Sequence, residues 1–150
     1  MKKMMICMVL ALCMVFAMAG CFTNVGFTFT VDTGDEINIV LDTTDDYSFT
    51  PESPFVISCD DKVLSQGVFI SSADYQEYVD VVTKSADATI LETSEKNGYE
   101  YIMWTFSDGE SSEWNYAMLL TENTGVLIGN NVSEETAKEC FDRLTFSVED

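Results

Sequence analysis

"NGYEYIMWTFS", Asn97 to Ser107, decides how this chain is built. Asn-Gly is the strongest short hairpin signal, because both residues accept the positive φ that a tight two-residue turn requires. The run after it has period two. Tyr99, Tyr101 and Met103 share one face; Ile102, Trp104 and Phe106 share the other. An antiparallel strand with one wet face alternates apolar with polar residues, and this one is apolar on both. "WNYAMLLT" does the same, with Trp114, Tyr116, Met118 and Leu120 opposing Ala117 and Leu119. The sheet that holds these strands is therefore expected to be covered on both faces.

The neighbouring segments supply the rest. "ATILETS" precedes the Asn97-Gly98 turn, and "ENTG" turns the chain into "VLIGN", so this half reads as a meander. Upstream, "EINIVLDT" alternates through Ile37, Ile39 and Leu41. "FVISC" and "VLSQGVFI" read as strands joined by an Asp60-Asp61-Lys62 turn. Phe27, Phe29 and Val31 alternate too, while "DYSFTPESPF", with Pro51 and Pro54, reads as a turn-rich link. "SSADYQEYVDVVTK" places Tyr75, Tyr78, Val79 and Val82 on one helical stripe behind a Ser71-x-x-Asp74 start. "SEETAKECFDRL" is a second helix, capped by Ser133, with Ala137, Cys140, Phe141 and Leu144 inward. "TFSVE" is a closing strand. The expected class is α+β: an antiparallel meander packed with two amphipathic helices as a layered α/β sandwich. The element order loosely resembles the PsbP-like fold, without a diagnostic motif. That resemblance implies a small non-enzymatic assembly or interaction protein.

The start of the chain has a different composition. Lys2 and Lys3 are followed by an uncharged run from Met4 to Ala19, then Gly20 and Cys21. A basic start, an apolar middle and a small-residue exit make a secretory signal. Met18-Ala19-Gly20-Cys21 resembles the lipobox of bacterial lipoproteins, with Met18 where Leu is usual. The resemblance implies a signal peptide over 1–20 and a diacylglycerol thioether on Cys21. A lipidated tether over 21–35 and one domain over 36–150 follow. The protein is then expected at the cell membrane, on its extracytoplasmic face. Two other readings use the same residues: soluble release at Ala17-Met18-Ala19, or an uncleaved span from Met4 to Phe22.

Without residues 1–20, five basic residues (Lys62, Lys84, Lys96, Lys138 and Arg143) face all 26 acidic ones, a net charge of −21. Such a chain repels nucleic acid and anionic headgroups, so nucleic acid is not an expected partner. Its membrane partner acts through the anchor on Cys21, and an envelope protein is the candidate second partner. The 150 residues contain no histidine, which removes Ser-His-Asp, Cys-His and H-E-x-x-H chemistry. G-x-S-x-G, S-x-x-K, Walker and G-x-G-x-x-G patterns are absent as well. No catalytic residue and no cofactor is assigned.

The residues favour a non-catalytic binding or assembly module. The alternatives are an envelope hydrolase working through paired carboxylates and a calcium-binding surface protein. Asp42, Asp45 and Asp46, and likewise Asp32, Asp35 and Glu36, cluster hard oxygen ligands without EF-hand spacing. Cys59 and Cys140 are candidates for a disulfide, with apolar core packing as the competing role. Trp104, Trp114, Tyr99 and Tyr116 are candidates for an aromatic binding face, against cross-strand core pairing.

Overall fold

The computed structural model describes residues 23–107 and 112–149. In chain order the strands are β1 (Asn24–Thr30), β2 (Glu36–Asp42), β3 (Tyr47–Thr50), β4 (Phe55–Cys59) and β5 (Lys62–Ser71). Helix α1 (Ser72–Lys84) follows, then β6 (Ala88–Lys96), β7 (Tyr99–Ser107), β8 (Ser112–Leu119) and β9 (Thr124–Asn130). Helix α2 (Glu134–Asp142) and β10 (Leu144–Glu149) close the series. Every pairing is antiparallel, so the class is α+β as expected from the sequence.

The strands divide into two sheets. A small one has the order β1-β2-β10; a large one runs β3-β4-β5-β9-β8-β7-β6. Asn97 and Gly98 turn β6 into β7 with φ of 55° and 85°. Asp60 and Asp61 do the same between β4 and β5, with φ of 50° and 60°. Both helices start where the serines predicted. The backbone N–H of Asp74 donates to Ser71 Oγ at 3.1 Å, and that of Thr136 to Ser133 Oγ at 3.2 Å.

Each face of the large sheet carries a hydrophobic cluster. On one, Met103, Tyr116, Met118, Val126 and Ile128 bury against Ile37, Ile39 and Leu41 of the small sheet and against Cys140 and Phe141 of α2. Phe141 stacks on Tyr116 with ring centroids 3.9 Å apart. On the other, Ile102, Trp104 and Ala117 meet Tyr75 and Val82 of α1. Burying each such side chain contributes about 1.5–3 kcal/mol.

One element was left open by the sequence and another differs from it. The alternation of Phe27, Phe29 and Val31 allowed a strand within the stretch 21–35, and all seven residues of β1 pair with β2. The folded unit therefore begins near Asn24. Phe29 anchors it, with its ring 5.2 Å from Phe69 and 6.0 Å from Phe55, both on the large sheet. Within the "DYSFTPESPF" link, Tyr47–Thr50 forms β3, paired with β4. Gly67 on β5 permits this crowding, since a Cβ there would sit 2.0 Å from the ring of Phe55.

Candidate functional site

The acidic stretch Asp42 to Asp46 starts on the last residue of β2 and enters a short 3-10 turn, where Asp45 and Asp46 hold φ of 60° and 64°. Left-handed backbone suits Asp, whose side chain bonds locally. A cation does sit among these carboxylates, and it is Arg143, the only arginine of the chain. Arg143 Nη2 is 2.7 Å from Asp45 Oδ2 and 3.1 Å from Glu139 Oε1. Nη1 donates to Thr44 O at 3.0 Å and to Thr44 Oγ1 at 2.9 Å, and lies 3.9 Å from Asp42 Oδ1. The guanidinium also lies over the ring of Tyr47, 4.0 Å from its centroid. Burial pushes the Tyr47 phenol up to about 12. Asp42 is held below the usual carboxylate range by hydrogen bonds from Thr44, the nearest from its backbone N–H at 3.0 Å. Asp46 is exposed. The fork of Arg143 thus ties the β2–β3 link to the junction of α2 and β10. Among the described residues, no group of three metal-ligating side chains converges.

The other acidic stretch is also engaged. Asp35 Oδ2 accepts from Thr121 Oγ1 at 2.5 Å and from Thr124 Oγ1 at 2.6 Å, and these bonds lower its pKa. The hydroxyls of Thr124 and Thr33 are bonded to each other. This network pins the β1–β2 turn to the β8–β9 turn. Asp32 and Glu36 stay exposed.

Cys59 and Cys140 are both free thiols. The Cys59 thiol donates to Asp45 O at 3.4 Å, and Cys140 is fully buried on the inner side of α2. Burial raises the pKa of each, with Asp60 and Asp46 adding to the rise at Cys59. A thiol held protonated is a poor nucleophile.

The four aromatics do not form one face. Tyr116 belongs to the core beneath the small sheet, where Tyr99 and Trp114 also pack. Trp104 belongs to the cluster under α1 and is 3% exposed. Its neighbourhood holds a feature that sequence reasoning missed. Beside α1, the outer face of the large sheet is open as a groove of about 680 Å³, lined in part by Trp104, Phe106, Asn115, Gln66, Gly129 and Tyr78. Among the described residues, no acceptor reaches the buried indole Nε1–H of Trp104. Only the strand register brings these side chains together, so no local motif could have announced them.

No helix among the described residues is long and apolar enough to cross a membrane. Cys21 and the rest of the leader lie outside the described residues. No protein-family model and no curated protein matches this chain.

Proposed function

We propose that this protein is a lipid-anchored module on the extracytoplasmic face of a bacterial cell membrane, and that its domain binds a partner without catalysing a reaction. One observation carries the reading: Cys21 of the lipobox-like pattern stands three positions before the first strand. Acylation there would hold a folded domain directly against a leaflet, since two acyl chains suffice for stable anchoring. The nominated side chains support the non-catalytic half. Asp42 and Asp45 are engaged with Arg143, Asp35 with two threonines, and both free thiols have raised pKa values. A carboxylate acting as general acid needs a raised pKa, and Asp35 and Asp42 shift the other way.

The layered arrangement belongs to the same proposal. Hydrophobic clusters on opposite faces of the large sheet support it, with α1 on one side and the small sheet with α2 on the other. The resemblance to the PsbP-like fold, and to its interaction proteins, is part of this reading.

Fatty-acid labelling of the wild type and of Cys21→Ser in a bacterial host, with membrane fractionation, tests the anchor. The wild type should label and the variant should not. Equal labelling of both would refute the anchor. An unlabelled wild type in the medium would favour soluble release, and an unlabelled full-length one in the membrane would favour an uncleaved span. Turnover of glycoside or ester substrates that is lost on carboxylate replacement would refute the non-catalytic half.

A further inference from the structure

We infer that the groove beside Trp104 is a binding site for an uncharged carbohydrate of about two or three sugar units, a size that a groove of this volume accommodates. The inference rests on the reading of the domain as a binding module and gives that module a ligand class.

The register makes the site specific. Gln66 on β5 pairs with Gly129 on β9, Gly129 with Asn115 on β8, and Asn115 with Trp104 on β7. These four residues form one row across four adjacent strands, on the face that α1 covers only in part. In the next row, Leu127, Ala117 and Ile102 pack into the cluster with α1, while Val68 is exposed. Strands lie about 4.8 Å apart, so the two amide side chains stand roughly 10 Å apart with a bare glycine between them. A Cβ on Gly129 would meet only Asn115 Oδ1, at 3.4 Å. The floor between the amides is therefore backbone, and a ligand can approach it closely. The walls are apolar: Phe106, and Tyr78 of α1, which is 45% exposed.

This chemistry selects among ligands. No lysine or arginine lines the groove among the described residues, and Glu113 is its one charged group. Phosphates, nucleic acids and anionic headgroups find no partner there, and the net charge repels them. An extended peptide that adds a strand needs a free sheet edge. β5, β9, β8 and β7 each have a strand on both sides, so their ladder groups are already used. A neutral polyol fits what remains. Each amide can both donate and accept, matching vicinal hydroxyls. The C–H face of a sugar ring packs against an aromatic wall.

The test is a titration of the full-length protein in detergent with cellotetraose, chitotetraose and maltotetraose, followed by calorimetry and tryptophan emission, with tetra-alanine as the peptide probe. At least one glycan should bind saturably and change the emission. Gly129→Val should weaken that binding about tenfold or more without lowering Tm, because its side chain fills the open floor. Trp104→Phe should abolish the emission change. The inference is overturned if no glycan saturates by about 10 mM, if Gly129→Val binds like the wild type, or if tetra-alanine binds as tightly as the glycans. Such a failure leaves the Cys21 labelling result standing. Release of shorter sugars during the titration would instead count against the non-catalytic reading.

Discussion

Replacing Arg143 with Met keeps the length and apolar stem of the side chain and removes its charge and five donors. The wild-type side chain is 13% exposed, while that of its closest carboxylate, on Asp45, is 77% exposed. Solvent screening at Asp45 and Glu139 limits those ion pairs to a few tenths of a kcal/mol up to about 1 each. The bonds to Thr44 add about 1 kcal/mol between them, and the stacking on Tyr47 about 1 more. The substitution also leaves Asp42, Asp45 and Glu139 facing one another without a cation. Arg143→Met should therefore destabilise the domain by about 3 kcal/mol, read as a lower urea midpoint at unchanged m. Arg143→Lys should lose roughly half of that, because a point charge cannot serve both Thr44 and two carboxylates. Salt should narrow the gap between the Met variant and wild type by screening the exposed carboxylates. A loss below about 0.5 kcal/mol for Arg143→Met, typical of an ordinary surface change, would refute the view that this side chain clamps the two segments.

Trp104→Ala should cost about 3–5 kcal/mol, since the ring is buried in the cluster with α1; a loss under about 1 kcal/mol would refute that packing. Asp35 and Asp42 have depressed pKa values in the fold, so their contribution is present above the unfolded carboxylate pKa of about 3.9 and is lost as pH falls through their folded values. A urea-midpoint profile should therefore fall as pH drops below about 4. In Asp35→Asn with Asp42→Asn the fall should be shallower, and an unchanged acid limb would rule out their role. Calcium and sodium chloride should stabilise equally at matched ionic strength. A saturable extra gain at low calcium that Asp42→Asn with Asp45→Asn removes would establish a cation site there instead.

Much of the fold was legible because it is written in periods. Tyr75 and Val82 of the helical stripe, the serine caps and the Asn97-Gly98 turn are local, and each formed where it was expected, whereas Tyr78 of the same stripe stands exposed at the helix edge. The doubly apolar β7 is buried on both faces from Tyr101 to Trp104. The two helices were expected as covers, but the pairing of β10 with β2 was not legible, since alternation reveals that a face is buried and not which strand lies beside it. Hence the small sheet escaped notice, although Ile37, Ile39 and Leu41 were seen to share a face. β3 was hidden by Pro51 and Pro54, which mark a link and mask the four residues before it. The Arg143 clamp had no local signal, because Thr44 and Asp45 lie 99 and 98 residues away. The row from Gln66 to Trp104 needs the register of four strands, which no single segment encodes.

The position of β2 bears on how the domain is assembled in time. It is flanked by β1 and β10, the first and last of the described strands. β1 reaches β2 through a five-residue turn, whereas β10 must return from about a hundred residues away, as in the pairing of Leu144 with Leu41. By loop-closure entropy the first joining costs about 1.4 kcal/mol and the second about 4. During synthesis or export the β1–β2 hairpin can form early, but the core beneath it stays open until β10 arrives. A chain threaded through a membrane pore from its N-terminus would thus remain pliable for most of its passage. If Cys21 is held at a leaflet, the N-terminal hairpin waits at that surface, and the arrival of β10 closes the domain on the far side.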